Sequence, residues 1–521
     1  MISVVFFQVN IMTTPTASPA AGKPAAVTPA RMAKLSVLTL AIMNVTAVVS
    51  LRGLPSEATY GLTSVFYYIF AAVFFLIPVS IVAAELATGW PQKGGVFRWV
   101  GEAFGPRWGF LAIFLVWVES TIWFPTVLTF GAVAIAFAGP GQRWDEALAA
   151  NKLYTIGIVL VVYWAATWVS LHRLKSAARI AKWGGMIGTI IPAAILIVLG
   201  FTYYFSGNYI EVQLAWRDLI PDFTNFNNLV LAAGIFLFYA GMEMNAIHVR
   251  EIDNPARNYP LAILISSLVT VAIFVLGTLA IAFIIPASQI NLVQSLLITY
   301  DSFFKLFGID WLSPVMAIAL AFGVLGGVTV WVAGPSSALS VVGRAGYLPP
   351  FFQKVNAKGA PSHILIVQGL IVTFLAIMFA VLPSVQAAYQ ILSQLTVTLY
   401  LIMYLLMFAA AIHLRYSEPN TPRPYRVPFG AFGMWLFAGV GLVGSLIAFV
   451  LSFVPPSQIA VGSPSAYIWM LIAGNVIFVA IPLITYAIRK PHWKTPEGSA
   501  DFEPFNWEKE GRMPGSQQAA G

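Results

Sequence analysis

The sequence predicts an all-α integral membrane protein of twelve transmembrane helices, built as a five-plus-five inverted repeat with discontinuous helices 1 and 6. Three observations lead there. Of the 521 residues, 59% are hydrophobic and only 9% charged, with mean hydropathy +0.82, which excludes an ordinary soluble globule. Apolar runs long enough to cross a bilayer recur from end to end, at about 35–60, 64–84, 108–137, 153–171, 183–205, 228–248, 261–285, 312–342, 363–382, 386–413, 430–454 and 466–488. Finally, the first and sixth runs are interrupted by glycine and charge at corresponding places, five spans apart. Such a pair of broken spans points to two inverted repeats with a site between them.

Lysine and arginine set the orientation. With the N-terminus in the cytoplasm, the inner loops and tails hold 23 of the 28 basic residues. The outer loops hold Arg143, Lys152, Arg217 and Lys305, and Arg52 is left within the membrane. The positive-inside rule therefore expects both termini in the cytoplasm of a cell-membrane protein. The formal charge of +8 is a topology signal, and no nucleic-acid partner is expected. There is no cysteine, and His172, His248, His363, His413 and His492 show no ligand spacing, so neither a metal nor another cofactor is expected.

Residues 1–34 read as a disordered cytoplasmic tail rather than a signal peptide. MISVVFFQVNIM lacks a basic start and is followed by an Ala/Pro/Thr tract, and translation begins at either Met1 or Met12. The transmembrane domain spans 35–488, with repeat one at about 35–205, repeat two at about 228–413 and two further helices over 430–488. Span 1 runs uncharged from Leu35 to Val49 and is interrupted by Ser50-Leu51-Arg52-Gly53-Leu54-Pro55-Ser56-Glu57. Proline suits a helix's first turn, so Pro55 begins a second half-helix, whose N–H groups near Gly53 and Leu54 would suit an anion. After span 2, Phe97, Val100 and Phe104 share a helical face opposite Arg98 and Glu102, which predicts a short helix lying at the interface. Glu119 interrupts span 3. The basic loop 171–182 reads as a topology anchor contacting lipid phosphate in preference to a binding role.

Span 6 opens uncharged over Leu229–Phe238, and then Tyr239-Ala240-Gly241-Met242-Glu243 sets a glycine and a carboxylate at mid-span. An ionised side chain at that depth costs about 2.5–3.5 kcal/mol on insertion scales, so Glu243 needs a partner, a proton or a water-filled cavity. Gly241 lets the chain leave helical geometry, where freed backbone groups must face protein or water. The alternative is a glycine packing contact beside a neutralised glutamate. Asp253-Asn254-Pro255 reads as a turn before span 7. In span 8, Gly323, Gly326, Gly327 and Gly334 are packing glycines, and Trp331 is either a cavity wall or a core tryptophan. Residues 489–521 read as a polar cytoplasmic tail, dispensable for transport and poor in groups that titrate near neutrality.

With these pieces placed, the sequence resembles the amino acid–polyamine–organocation superfamily, and within it the bacterial glutamate/GABA antiporter group. The resembling blocks are GGVFRWVGEAFGPRWGF (94–110), ARIAKWGGMIGTIIPAAILI (178–197), FYAGMEMNAIHVREIDNPARNYPLAI (238–263) and WVAGPSSALSVVGRAGYLPPFFQKVNAKGAPSHIL (331–365). The resemblance implies a leucine-transporter-like fold with two peripheral helices, and alternating-access exchange or proton-coupled uptake of amino acids. It also implies a substrate region at Ser50, Leu51, Arg52, Gly53, Tyr239, Ala240, Gly241 and Glu243, with Trp331 as a gating aromatic. Two departures stand out: the exchangers carry a tyrosine-like residue in place of Arg52 and an acid near Gly327, and their tail, which plugs the cytoplasmic mouth at neutral pH, is longer.

Several readings stay open. The expected partners are a small amino acid or amine, protons and membrane lipid, and the oligomeric state is open. Exchange competes with proton symport through Glu119 or Glu243. A non-transporting sensor would need a signalling domain that the sequence lacks. An enzyme is not expected, because there is no P-loop, nucleophile elbow or HExxH. Arg52 and Glu119 form either an internal salt bridge or a pair of substrate ligands.

Overall fold

The computed structural model describes residues 36–139, 141–172, 180, 183–222, 224, 231–243, 252–456, 460–496 and 502–517. The readings of the N-terminal tail, most of the basic loop 171–182 and residues 228–230 and 244–248 of span 6 fall outside them. All regular structure among the described residues is helical. In chain order the helices are α1 (Val37–Val48), α2 (Leu54–Ala58), α3 (Thr63–Gly89), α4 (Val96–Phe104), α5 (Pro106–Ala136), α6 (Gln142–Ala149), α7 (Lys152–His172) and α8 (Trp183–Phe205). They continue as α9 (Gly234–Tyr239), α10 (Pro255–Ile284), α11 (Ser295–Leu306), α12 (Leu312–Tyr347), α13 (Ser362–Val381), α14 (Val385–Ser417), α15 (Gly430–Ser452), α16 (Pro464–Ala487) and α17 (Asn506–Lys509).

Ten of these are long and apolar enough to cross a membrane: α3, α5, α7, α8, α10, α12, α13, α14, α15 and α16. They match the ten uninterrupted runs read from the sequence. The first run is absent from this set because α1, 12 residues long, ends before the extended Val49 and Ser50, and the sixth because only its stretch up to Glu243 lies within the described residues.

Helix α5 is the axis of the bundle. Its most apolar stretch is 94% buried, against 17% for α16, so α5 is central and α16 peripheral. Helices α14 and α12 pack along α5, and α8 packs against α12 and α10. The α8–α12 crossing is backbone on backbone. A Cβ at Gly188 would overlap the Cα of Gly323, and one at Gly184 would come 2.9 Å from the Cα of Gly326. Small residues at a crossing let helices approach this closely, so Gly323 and Gly326 are packing glycines as expected. Gly327 and Gly334 are not, since nothing lies within 4 Å of where their Cβ would stand.

At one end of the bundle the short α4 forms as the sequence predicts, but its charged face does not meet solvent. The side chains of Arg98 and Glu102 are fully buried and paired at 2.7 Å. The C-terminal segment covers them. Arg98 donates to the carbonyls of Glu503 and Pro504 at 2.7 and 2.8 Å, and Asn506 N–H donates to both oxygens of Glu102 at 3.1 and 3.0 Å. Phe505 lies over the Arg98 guanidinium, and Trp507 donates its indole N–H to the carbonyl of Gly101. Further on, Arg512 pairs with Glu418, and Gly515 O meets His413 Nε2 at 3.1 Å. A segment rich in aromatic residues has apolar area to bury, which a solvated tail does not.

Candidate functional site

Helix α1 ends at Val48, and Val49 and Ser50 are extended, with ψ 120° and 115°. Leu51, Arg52 and Gly53 then make one buried 3₁₀ turn, and α2 begins with Pro55 in its first turn. The expected open helix start is partly closed, because Leu54 N–H already bonds Leu51 O. Gly53 is required by close approach: a Cβ there would overlap the ring of Phe238 on α9. The sixth run breaks as well. Tyr239 ends α9, Ala240 is extended at φ −70°, ψ 152°, and Gly241 takes φ +109°, open in practice to glycine alone.

Glu243 is 3% exposed and held by hydroxyls rather than by a cation. Tyr400 OH donates to its Oε1 at 2.5 Å and Tyr404 OH to its Oε2 at 2.6 Å. Gly241 N–H, freed by the break, is shared between Glu243 Oε2 at 3.2 Å and Tyr404 OH at 3.1 Å. The carboxylate therefore caps the break and ties it to α14.

Arg52 is also 3% exposed. Its guanidinium sits among the rings of Trp123, Phe238 and Tyr389, with Cζ 5.5, 5.6 and 5.9 Å from their centroids. Nη1 donates to Thr126 Oγ1 at 3.3 Å and to Tyr389 OH at 3.1 Å, while Nε is buried without a hydrogen-bond partner. Trp331 is half-buried beside this group, its ring 5.9 Å from that of Trp123.

Glu119 is buried on α5, and its Oε1 has no hydrogen-bond partner. Arg52 and Glu119 form no ion pair. The cause is geometric: Thr126, which engages Arg52, stands two turns along α5 from Glu119 on the same face, about 10 Å away along the axis. A third buried acid, Glu57 on α2, accepts from Ser56 Oγ at 3.1 Å through Oε1, and its Oε2 has no partner.

The structure thus gathers Arg52, Gly53 and Trp331 around Trp123 and Phe238, and gathers Tyr239, Ala240, Gly241 and Glu243 around the second break. The sequence reading missed Trp123, Thr126, Phe238, Tyr389, Tyr400 and Tyr404, and gave Glu57 no role beyond interrupting span 1. A signal existed for the tyrosines. Tyr389, Tyr400 and Tyr404 are eleven and fifteen residues apart, which at about 100° per residue puts them within about 60° of one face of α14.

Comparison with known proteins agrees with this architecture. Residues 35–476 match the family described as amino acid permease. An uncharacterized transporter of Legionella pneumophila is 40% identical over 448 residues, 86% of this chain and 95% of that protein. A glutamate/gamma-aminobutyrate antiporter of Lactococcus lactis is 32% identical over 460 residues, 87% of this chain and 90% of the antiporter. A probable agmatine/putrescine antiporter of the same species is 24% identical over 419 residues, 80% and 87% of the two chains. With broken helices at both expected places and a family match over most of its length, the chain belongs to the amino acid permease family of the amino acid–polyamine–organocation superfamily.

Proposed function

We propose that the protein is a secondary active transporter of the cell membrane that exchanges an amino acid for a related amino acid or amine by alternating access. The observation that carries this reading is the unpaired opposite charge beside a helix break. The Arg52 Nε–H and Glu119 Oε1 are both buried and both without a hydrogen-bond partner. Buried polar atoms left unmet in a native fold call for an explanation. A zwitterion between them supplies one: its carboxylate meets Arg52 and its ammonium faces Glu119. Gly53 and the carbonyls at the break add main-chain contacts, and Trp331 with Trp123 forms an aromatic wall. Glu243, already capped by two tyrosines, shapes the second break. The similarity to glutamate/gamma-aminobutyrate antiporters makes such compounds the first to test. In this reading the chain has twelve spans in two inverted repeats, with both termini in the cytoplasm.

Counterflow into proteoliposomes tests it. Vesicles preloaded with unlabelled L-glutamate, 4-aminobutyrate or each other standard amino acid should accumulate the matching labelled compound, and empty vesicles should not. Uptake into empty vesicles driven by a pH gradient would establish proton symport instead. The absence of uptake for every amino acid, agmatine and putrescine in both formats would overturn the transport reading.

A further inference from the structure

We infer that Tyr389 and Thr126 are positioning residues for substrate selection, aiming one edge of the Arg52 guanidinium at a carboxylate; this rests on the reading of Arg52 as the carboxylate receptor. Thr126 Oγ1 donates its proton to Trp123 O at 2.7 Å, and Tyr389 OH donates to the main-chain carbonyl of Arg52 at 3.5 Å. Each hydroxyl has one proton to give, so each presents only lone pairs to the guanidinium. Nη1 carries two hydrogens and meets both acceptors. Nη1 is therefore fully spent, and the guanidinium is fixed in rotation about its long axis.

What remains is the edge formed by Nε and Nη2. Nε is buried with no hydrogen-bond partner, and among the described residues Nη2 has no acceptor either. That edge offers two parallel N–H groups, the arrangement that a carboxylate fills with both oxygens. The rings of Trp123, Phe238 and Tyr389 wall the guanidinium without supplying an acceptor for that edge. Lysine cannot reproduce the two-pronged donor. Tyr389 also turns its hydroxyl toward the carbonyl of Arg52 itself, so a single phenol contacts both the side chain and the turn that carries it. The consequence is selectivity by class: the amine exchanged under the proposed function keeps a carboxylate, as 4-aminobutyrate does, and amines that lack one, such as agmatine and putrescine, do not bind.

A double-mutant cycle tests this in the full-length protein in proteoliposomes. Wild type is first screened by thermal shift against the twenty amino acids, 4-aminobutyrate, agmatine and putrescine, and the carboxylate compound giving the largest stabilisation becomes the labelled probe. Tyr389→Phe should raise KM for that probe about tenfold with little change in maximal rate, as expected for loss of a hydrogen bond to a charged group. Thr126→Val should act in the same direction, and serves if Tyr389→Phe folds poorly. In an Arg52→Lys background the same substitutions should change KM by less than about twofold, because the edge they aim is gone. Equal losses in both backgrounds, no loss in either, or a loss confined to maximal rate would overturn the positioning role. If Arg52→Lys alone costs about tenfold in affinity while Tyr389→Phe and Thr126→Val are silent, the receptor reading stands and this inference falls. Tight binding of putrescine or agmatine, or an Arg52→Lys protein with wild-type affinity, would remove both.

Discussion

Gly241 shows how much one residue controls. Its φ of +109° frees its N–H from α9, and that N–H then meets Glu243 and Tyr404. A branched side chain at this angle strains the backbone by about 1–3 kcal/mol. The cheapest relief is to restore helical angles, which withdraws the N–H from the break. Gly241→Leu should therefore insert and fold but lose uptake at least tenfold, about 1.4 kcal/mol in transition-state terms. Uptake by a normally expressed Gly241→Leu protein at the wild-type rate would show that the second break is not part of the site. The glycine and the glutamate were legible in the sequence because each is rare at mid-span. The identity of their partners was not, since Tyr400 and Tyr404 lie some 160 residues away and only the fold brings them near. The same limit governed Arg52. Sequence alone offered Glu119 as its natural counter-ion, whereas two hydroxyls, Thr126 and Tyr389, engage it instead.

Helices were easier to read than contacts, because a span announces itself by its own apolar length. The ten unbroken runs became ten helices, whereas the first run broke at Val49 and Ser50, just ahead of its glycine, and the sixth at Ala240 and Gly241. The four glycines of α12 divided, because whether a glycine packs depends on the helix opposite. Gly188 and Gly323 meet backbone to backbone, so a larger residue there must push α8 from α12. Overpacking of this kind costs about 1–3 kcal/mol. Gly323→Val should lower the melting temperature of the detergent-solubilised protein by several degrees, and Gly327→Val, facing open space, should leave it nearly unchanged. The comparison is between two valines four residues apart on one helix, so helix propensity cancels. Equal melting temperatures for the two variants would mean that the α8–α12 crossing does not depend on that close approach.

The whole molecule includes a piece that the sequence reading left outside it. The C-terminal segment looked dispensable because it is polar in composition, yet Phe505 and Trp507 dock it on α4 above a buried Arg98–Glu102 pair. The titrating group then belongs to α4 rather than to the tail. Burial raises the Glu102 carboxyl from its ordinary 4.5 to about 7, against the opposing pull of Arg98 and the Asn506 N–H. Docking provides that burial, so the docked state holds a proton more tightly than the undocked state. A raised pKa in the docked state means its contribution to docking is complete below about 4.5 and fades as pH rises through about 7. Between those values the docking equilibrium should weaken by up to about tenfold per pH unit, the limit for one proton. Hydrogen exchange of amides 503–512 in the detergent-solubilised protein should therefore be slower at pH 5.5 than at pH 7.5 once the intrinsic pH dependence is removed. Glu102→Gln, which keeps the shape and cannot ionise, should make the two protection factors equal. Protection that instead grows toward pH 7.5 in wild type would mean that the ionised carboxylate, paired with Arg98 and capped by Asn506, is the form that holds the segment down.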